Sequence, residues 1–154
     1  MCARKYKSVE LGGDLNTMNF ETTVVWNEKF PGRIHCQNGQ VIDYSSPVEL
    51  QGMHGPLTPE DAFVGSANMC YQIVFERVAR DLGIKLLEYR CRAVGDLEVV
   101  EGVKRFVKIV LYPEMRFDQG SKMSNLEKAI STTKRKCLVT NSMDLEVEIV
   151  PKVL

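Results

Sequence analysis

The stretch TPEDAFVGSANMC, residues 58–70, contains the signals that start a long helix. Thr58 is a favourable N-cap residue, and Pro59 suits the first helical position because an N–H there would have no helical partner. Glu60 and Asp61 place negative charge in the first turn, where it interacts favourably with the helix dipole. The stretch therefore predicts a helix that begins at Pro59 and carries Cys70 well inside it.

Apolar and small residues continue at helical spacing beyond this stretch, and Gly83 ends the pattern. Residues 64–69, in the middle of the helix, carry no charge. We therefore expect this helix to be the central and most buried element of the fold. The face predicted to lie in the core comprises Ala62, Phe63, Ser66, Ala67, Cys70, Ile73, Val74 and Val78.

Upstream of this helix the sequence predicts a short meander of strands. Residues 20–26 are rich in threonine and valine, which favour extended backbone. Residues 33–36 and 40–44 flank Asn38-Gly39, a dipeptide typical of a tight hairpin turn. Residues 1–18 show no clear period and are interpreted as an N-terminal arm or a short strand.

Downstream of the helix, residues 87–93 and 105–112 predict a pair of strands, because apolar and polar side chains alternate there. The side chains predicted to face the core are Leu87, Tyr89, Cys91, Ala93, Val107, Ile109 and Leu111. Breaks are predicted as a turn at Gly95-Asp96, a loop at Glu101-Gly102 and a strand end at Pro113.

The last third of the chain predicts a helix and a strand. Ser124 and Glu127 have the spacing of a capping box, and the helix that they start runs to about Lys136. Residues 143–149 alternate apolar and acidic side chains, which is typical of a strand with one buried face. The order of strands, helix, strands, helix and strand indicates an α+β fold with mostly antiparallel pairing. We expect residues 19–154 to form a single domain.

The composition argues against several classes of protein. Lys plus Arg and Asp plus Glu each number 20, so the formal net charge is zero and a general nucleic-acid binder is not expected. No apolar run approaches the length of about 18 residues that a membrane span needs, and we do not expect residues 1–7 to belong to a secretory signal, because no apolar stretch follows them. Five cysteines is an odd number in a chain that needs no covalent staples, so we expect a reducing, cytoplasmic environment.

Two of the cysteines have distinctive neighbours. Cys70 ends the uncharged stretch of the predicted helix, and Cys137 follows the basic run Lys134-Arg135-Lys136. Nearby cations favour the thiolate, which is the reactive form of cysteine. The same cations suit a solvated helix C-terminus, and a cysteine within a helix is commonly an inert core residue. The sequence alone leaves both interpretations open for each cysteine.

No motif for a metal or a cofactor accompanies these thiols. His35 and His54 have no Cys, Asp or Glu at the spacing of a metal site. The chain also lacks the glycine-rich motifs of nucleotide-binding proteins and the nucleophile motif of hydrolases. We therefore expect a site that uses neither a metal nor a bound cofactor.

The two cysteine segments together resemble a known family. The start Thr58-Pro59-Glu60, the small and apolar run and Cys70 resemble the first motif of the OsmC/organic hydroperoxide resistance superfamily. The segment CLVTNS, residues 137–142, is similar to the second motif. This resemblance implies an OsmC-like fold, with antiparallel sheets around a long central helix, assembled as an intertwined homodimer.

The resemblance also implies a thiol peroxidase that reduces organic hydroperoxides. The family's roles would make Cys70 the thiol that attacks the peroxide and Cys137 the thiol that resolves it, through a disulfide between the two. A dithiol reductant, such as a lipoylated protein, would then restore both thiols. The family's glutamate matches Glu60. The nearest match to the family's arginine is Arg33, which lies beyond the corresponding position near Phe30.

Glu60 has a distance constraint of its own. It lies ten positions before Cys70, and ten residues along a helix span ~15 Å. On one continuous helix the two side chains cannot touch. A joint role therefore needs either Glu60 of the partner subunit or a break in the helix, and we expect the former. A second departure from the family is Leu138, since many relatives have proline after the later cysteine.

A different class of function fits the same residues. A non-enzymatic member of the family would be a dimeric binding or redox-sensing module whose thiols react slowly, and the offset of Arg33 favours this alternative. A relative that keeps the fold but uses other thiol chemistry is a third interpretation. Thiol reactivity separates them, because an enzyme's Cys70 must react with organic hydroperoxide far faster than free cysteine does.

Overall fold

The structure is a computed structural model that describes residues 18–28 and 30–154. It divides into two compact units, of which the first ends at Leu57 and the second is Thr58–Leu154. Apart from Met18, the predicted N-terminal arm lies outside the described residues. A domain boundary at residue 19 therefore stays a prediction.

The first unit contains a three-stranded antiparallel sheet in the order β1-β2-β3. The hairpin predicted around Asn38 and Gly39 is confirmed, since β2 and β3 pair in register on either side of it. Gly39 has a φ of +89°, a left-handed conformation that glycine adopts without steric cost. The strands are β1 (Thr22–Asn27), β2 (Phe30–Cys36) and β3 (Val41–Tyr44), followed by a 3-10 turn at Val48–Leu50.

The second unit contains a long helix, a long β-hairpin, two shorter helices and two short strands. Its sheet has the order β4-β5-β6, and β7 also pairs with β5. β4 and β5 are antiparallel, whereas β6 and β7 run parallel to β5. The predicted α+β class is confirmed. The elements are α1 (Pro59–Asp81), β4 (Leu86–Val100), β5 (Val103–Phe117), α2 (Leu126–Lys136), α3 (Leu138–Asn141), β6 (Glu146–Ile149) and β7 (Lys152–Val153).

α1 begins as the sequence predicts. The Thr58 side chain accepts a hydrogen bond from the Asp61 backbone N–H at 3.0 Å, and Pro59 occupies the first helical position. The helix ends just before Gly83, whose φ of +75° is favourable for glycine. α1 is therefore one continuous helix from Pro59 to Asp81.

Burial is uneven along α1, and among residues 64–69 only Ala67 is buried. The buried side chains concentrate in the second half of the helix, where Tyr71 and Phe75 are almost completely buried. Met69 and Ile73 are 63% and 64% exposed, although Ile73 was predicted to lie in the core. Ile73 is two residues from both Tyr71 and Phe75, which is about 200° around the helix, so it faces the opposite side.

The core of the second unit forms where this face of α1 packs against the sheet. Neighbouring aromatic side chains of the core lie 6.2–6.5 Å apart between ring centroids. Burying a large apolar side chain contributes about 1.5–3 kcal/mol, so this cluster dominates the stability of the unit. Its fully buried apolar members include Ala67, Tyr71, Phe75, Ile84, Ile109, Leu111, Met115, Ala129 and Cys137.

The predicted turn at Gly95-Asp96 and the predicted strand end at Pro113 are both wrong. β4 continues through Gly95 because the helix approaches closely there, and a Cβ at this position would lie 2.6 Å from Val64 Cγ2. Pro113 lies within β5 opposite Cys91, where β5 passes from pairing with β6 to pairing with β7. The missing N–H of Pro113 therefore falls at a gap between two partner strands. The hairpin turns at Glu101-Gly102 instead.

Two smaller predictions also fail for local reasons. Leu87 is 43% exposed, because a bulge between Leu86 and Glu88 interrupts its pairing and Leu86 packs against the core in its place. Ser124 does not cap α2, since a 3-10 turn at Met123–Asn125 leads directly into the helix. Asn125 holds this turn by donating from Nδ2 to the Leu82 carbonyl at 2.8 Å.

Among the described residues, no helix combines the length and apolar character needed to cross a membrane.

Candidate functional site

The structure brings the thiols of Cys70 and Cys137 into contact. Cys70 lies on α1 and Cys137 lies at the junction of α2 and α3, and the two thiols are near enough to interact electrostatically. Both cysteines are free thiols in this structure. Cys70 is half-buried, whereas Cys137 is completely buried. Of the two, Cys70 is therefore the thiol that a molecule from solvent can reach.

Cys137 is held in place through its backbone. Its φ of −70° and ψ of 105° break the helical path between α2 and α3. Its N–H donates to the Thr133 carbonyl at 2.9 Å, and its own carbonyl accepts from Asn141 Nδ2 at 2.8 Å. The same Asn141 amide also donates to the Lys134 and Arg135 carbonyls, at 3.2 Å and 3.0 Å. One side chain thus closes the end of α2 and fixes the position of Cys137.

Opposing influences act on the Cys70 thiol. Burial raises its pKa above the ordinary value of 9.0, and the neighbouring Cys137 thiol raises it further. The backbone N–H groups of Val139 and Leu138 lower the pKa, because they donate hydrogen bonds to the Cys70 sulfur. The pKa remains raised, so the thiol form of Cys70 predominates at neutral pH.

These two N–H groups belong to the first turn of α3, where helical N–H groups lack partners inside the helix. The sequence interpretation identified residues 137–142 as a motif but missed the role of their backbone. The available signal was the position of Leu138 and Val139 directly after Cys137. Backbone donors carry no side-chain signature, so their direction towards Cys70 follows only from the packing of α3 against α1.

A second group of polar side chains lies beside the thiol pair. Burial raises the pKa of Tyr71, and the pKa is raised further by the thiols of Cys91 and Cys137. Burial also raises the pKa of Tyr89, whose hydroxyl lies next to the Cys91 thiol. Cys91 is half-buried, and its carbonyl accepts a hydrogen bond from Asn68 Nδ2 at 3.1 Å. Tyr71 is therefore near both the Cys91 thiol and the Cys137 thiol.

The basic run before Cys137 is a solvated helix end. Lys134, Arg135 and Lys136 are all exposed, whereas Cys137 is completely buried. Among the described residues, no carboxylate forms an ion pair with any of these three cations. Of the two interpretations of this run, the structure favours stabilisation of the α2 C-terminus over activation of the neighbouring thiol.

Neither Glu60 nor Arg33 is found beside the two thiols. Glu60 lies at the far end of α1, and Arg33 belongs to the other unit. Glu60 is in the first turn of the continuous helix that also carries Cys70, so the helix separates them by ~15 Å. Its Oε2 atom is buried without a hydrogen-bond partner among the described residues. Arg33 is an exposed residue of the first unit, and its Nε donates to Asp43 Oδ1 at 2.9 Å. Asp43 is its cross-strand partner on β3.

The two histidines lie in the first unit. His35 is half-buried on β2, and His54 is exposed in the segment that precedes α1. Within residues 18–28 and 30–154, no group of three or more His, Cys, Asp or Glu side chains is arranged to hold a metal ion.

Comparison with known proteins places this arrangement in a recognised fold. The sequence model of a family described as OsmC-like protein matches residues 52–152. An OsmC-like protein of unknown function from Vibrio cholerae is 23% identical, with a TM-score of 0.80, over 90% of this chain and 100% of that one. An organic hydroperoxide resistance protein from Elizabethkingia anophelis is 17% identical, with a TM-score of 0.74, over 92% and 100% of the two chains.

A third solved structure extends this comparison. An organic hydroperoxide resistance protein from Bacillus subtilis is 14% identical, with a TM-score of 0.63, over 89% of this chain and 98% of that one. No curated protein sequence matches the chain significantly. At these identities the structural likeness establishes the fold.

Proposed function

The chain belongs to the OsmC-like protein family, and from that premise we propose that it is a thiol peroxidase that reduces organic hydroperoxides. The observation that carries this proposal is the contact between two free thiols, one half-buried on α1 and one buried at the α2–α3 junction. A peroxidatic thiol must be reachable from solvent, and a resolving thiol must lie within reach of it. Cys70 and Cys137 meet these two requirements.

The proposed reaction has three steps. The Cys70 thiolate attacks the distal peroxide oxygen, so that an S–O bond forms, the O–O bond breaks and the substrate leaves as an alcohol after gaining a proton. Cys137 then attacks the Cys70 sulfenic acid, forming the disulfide and releasing water. A dithiol reductant, such as a lipoylated protein, restores both thiols by exchange and becomes a disulfide itself.

Disulfide mapping tests this proposal directly. The reduced protein is treated with a small excess of cumene hydroperoxide and its disulfides are identified by mass spectrometry. Rapid formation of a single Cys70–Cys137 bond is the expected result. Slow oxidation scattered over several cysteines, with Cys70 still reduced, would contradict it.

The backbone N–H of Leu138 leads to a prediction about reactivity. In Leu138→Pro this donor is lost, so the pKa of Cys70 should rise and its reaction with cumene hydroperoxide should slow by less than about tenfold, because the Val139 N–H, which lowers the pKa more, remains. Proline fits the first position of α3, and the extended conformation of Cys137 suits a residue before proline. Thiolate absorbance against pH and stopped-flow kinetics measure the two effects.

Leu138→Ala is the matched control for this prediction. Its side chain is 67% exposed, so truncation removes little packing while the N–H remains. The alanine variant should therefore keep the pKa and the rate of the original protein. Equal behaviour of the proline and alanine variants would show that the N–H does not stabilise the Cys70 thiolate.

We also propose a homodimer in which the partner subunit completes the site. Met69 and Ile73 form an exposed apolar pair one turn apart on α1, immediately beside Cys70. In the first unit every residue of β1 is exposed, including Val24 and Trp26. Apolar surface of this extent in both units favours burial against another chain.

Analytical ultracentrifugation tests the dimer. A dimer has twice the chain mass of 17.4 kDa, and Ile73→Lys should sediment as the monomer because it places a charge in the apolar contact. Ile73→Leu keeps the apolar character and should stay dimeric. A monomeric original protein would rule out the dimer, and with it any part played by a partner's Glu60.

Glu60 and Arg33 are proposed as the charges that orient the site. The buried Glu60 Oε2 lacks a partner among the described residues, so a second subunit that supplies a donor would relieve its desolvation. Arg33 uses Nε for Asp43, and the terminal nitrogens of its guanidinium form no hydrogen bond with the described residues. Those nitrogens remain available for a thiolate or a peroxide oxygen.

One observation favours the non-enzymatic alternative, a dimeric binding or redox-sensing module. Burial raises the pKa of Cys70, which lowers the thiolate fraction at neutral pH and slows reaction with peroxide. The rate constant with cumene hydroperoxide separates the two functions. A value near that of free cysteine would identify a module whose thiols react slowly in the reducing cytoplasm that we expect for this protein.

A further inference from the structure

The outer face of the second unit's sheet carries a cleft that the thiol chemistry does not use. Its volume is about 540 Å³, and it lies over β4, β5 and the chain segment between β6 and β7. The residues that line it include Arg90, Arg92, Tyr112, Glu114, Pro151 and Lys152. Cys91 lies between the two arginines in sequence and, by strand alternation, faces the opposite side of the sheet.

Strand register arranges the cleft in two rows. Arg90 pairs with Glu114, which in turn pairs with Lys152 on β7. Arg92 pairs with Tyr112 in the adjacent row. The second row has no β7 partner, because Pro151 lies between β6 and β7. The cleft is therefore built into the sheet by a gap between two short parallel strands.

The cleft carries more cations than carboxylates. The Arg92 guanidinium lies 4.3 Å from the centroid of the Tyr112 ring, and Lys152 Nζ lies 3.0 Å from Glu114 Oε1. Among the described residues, neither Arg90 nor Arg92 forms an ion pair or a hydrogen bond with a carboxylate. The Lys152 ammonium, and more weakly Arg90, lower the pKa of Glu114, which is therefore ionised at neutral pH. Three cations facing one carboxylate leave two positive charges in surplus.

We propose that this cleft binds a phosphate monoester, with the dianionic phosphate group between Arg90, Arg92 and Lys152. Two charges on the ligand balance the surplus of the cleft. Arg90 and Arg92 are two positions apart on one strand, about 6.6 Å, so their long side chains can converge on a single phosphate. Arginine binds phosphate through paired N–H groups, and lysine adds a point charge. The apolar Pro151 lines the cleft where the ester's organic group would lie.

Calorimetric titration of the reduced protein with phenyl phosphate tests this inference at low ionic strength. We expect saturable binding that Arg90→Gln and Arg92→Gln each weaken by about tenfold, as expected when a charge-assisted hydrogen bond is lost. Glu114→Gln should instead strengthen binding, because it removes the only carboxylate of the cleft. An effect of net charge alone would weaken binding equally in any Arg→Gln variant, whether the arginine lies inside or outside the cleft.

Arg116→Gln is the matched control. Arg116 lies on β5 beyond the cleft and pairs with Glu88, so its variant has the same change in net charge as Arg92→Gln. Binding should be unchanged in this variant. Equal weakening in Arg116→Gln and Arg92→Gln, no saturable heat with the original protein, or tighter binding of succinate than of phenyl phosphate would each overturn the proposal. The result does not depend on whether Cys70 is a peroxidatic thiol.

Discussion

Cys70→Ser is expected to abolish the reaction with cumene hydroperoxide, whereas Cys137→Ser is expected to react once and stop at a Cys70 sulfenic acid. A serine hydroxyl does not supply the thiolate that attacks the O–O bond, and loss of a nucleophile lowers rates in other enzymes by more than about 1,000-fold. In Cys137→Ser the first step is intact and only the resolving thiol is missing. Stopped-flow kinetics and mass spectrometry of the products distinguish the two outcomes.

The pH dependence of the first step provides a second readout of the same prediction. Only the thiolate attacks, and the pKa of Cys70 lies above its ordinary value of 9.0. The rate should therefore rise by about tenfold per pH unit through neutral pH and continue to rise at pH 9. A rate that levels off below pH 8 would mean that a different, more acidic thiol reacts first.

Cys91→Ser is the matched control for these cysteine variants. Cys91 is another half-buried cysteine in the same unit, but it lies on β4 next to Tyr89, and the contact between thiols involves Cys70 and Cys137. Its variant should keep both the rapid reaction and the disulfide. If Cys70→Ser still consumed peroxide, or if Cys91→Ser did not, the reacting thiols would not be those of Cys70 and Cys137.

The features predicted correctly from sequence are those that neighbouring residues determine. The start of α1 follows from Thr58 and Pro59, and the first hairpin follows from Asn38-Gly39, because caps and tight turns need particular side chains at particular positions. The contact between Cys70 and Cys137 was an implication of the family resemblance. That contact depends on the packing of α3 against α1, which neither helical periodicity nor residue spacing can predict.

The failures share a different physical origin, which is contact between distant segments. Gly95 has the sequence character of a turn, yet it lies in a strand because Val64 packs against its backbone. Pro113 has the character of a strand end, yet β5 passes through it where no partner strand needs its N–H. Ile73 fits an apolar helical pattern, but the face opposite Tyr71 and Phe75 is uncovered within one chain. Local patterns cannot distinguish a core face from an apolar face that the chain leaves exposed.

The buried phenol of Tyr71 leads to the largest predicted change in stability. Burial raises its pKa above the ordinary value of 10, so the folded protein retains a proton that the unfolded chain loses. Stability is therefore fully present below pH 10 and falls as pH rises from 10 towards the folded value. The loss is about 1.4 kcal/mol per pH unit for each such group, and Tyr89 shifts in the same direction.

Tyr71→Phe should remove one of these contributions. Urea unfolding, followed by circular dichroism under reducing conditions between pH 8 and pH 12, should show a slope above pH 10 that is shallower by about 1.4 kcal/mol per pH unit. At pH 8 the variant should be at least as stable as the original, because the Tyr71 hydroxyl has no hydrogen-bond partner among the described residues.

An unchanged slope in Tyr71→Phe would mean that the phenol ionises in the folded state as readily as in water. That outcome would require water to reach the space between Tyr71 and Cys137. Burial is also the largest cause of the raised pKa of Cys70, the residue next to Tyr71 in the chain, so water that reached both groups would speed the peroxide reaction.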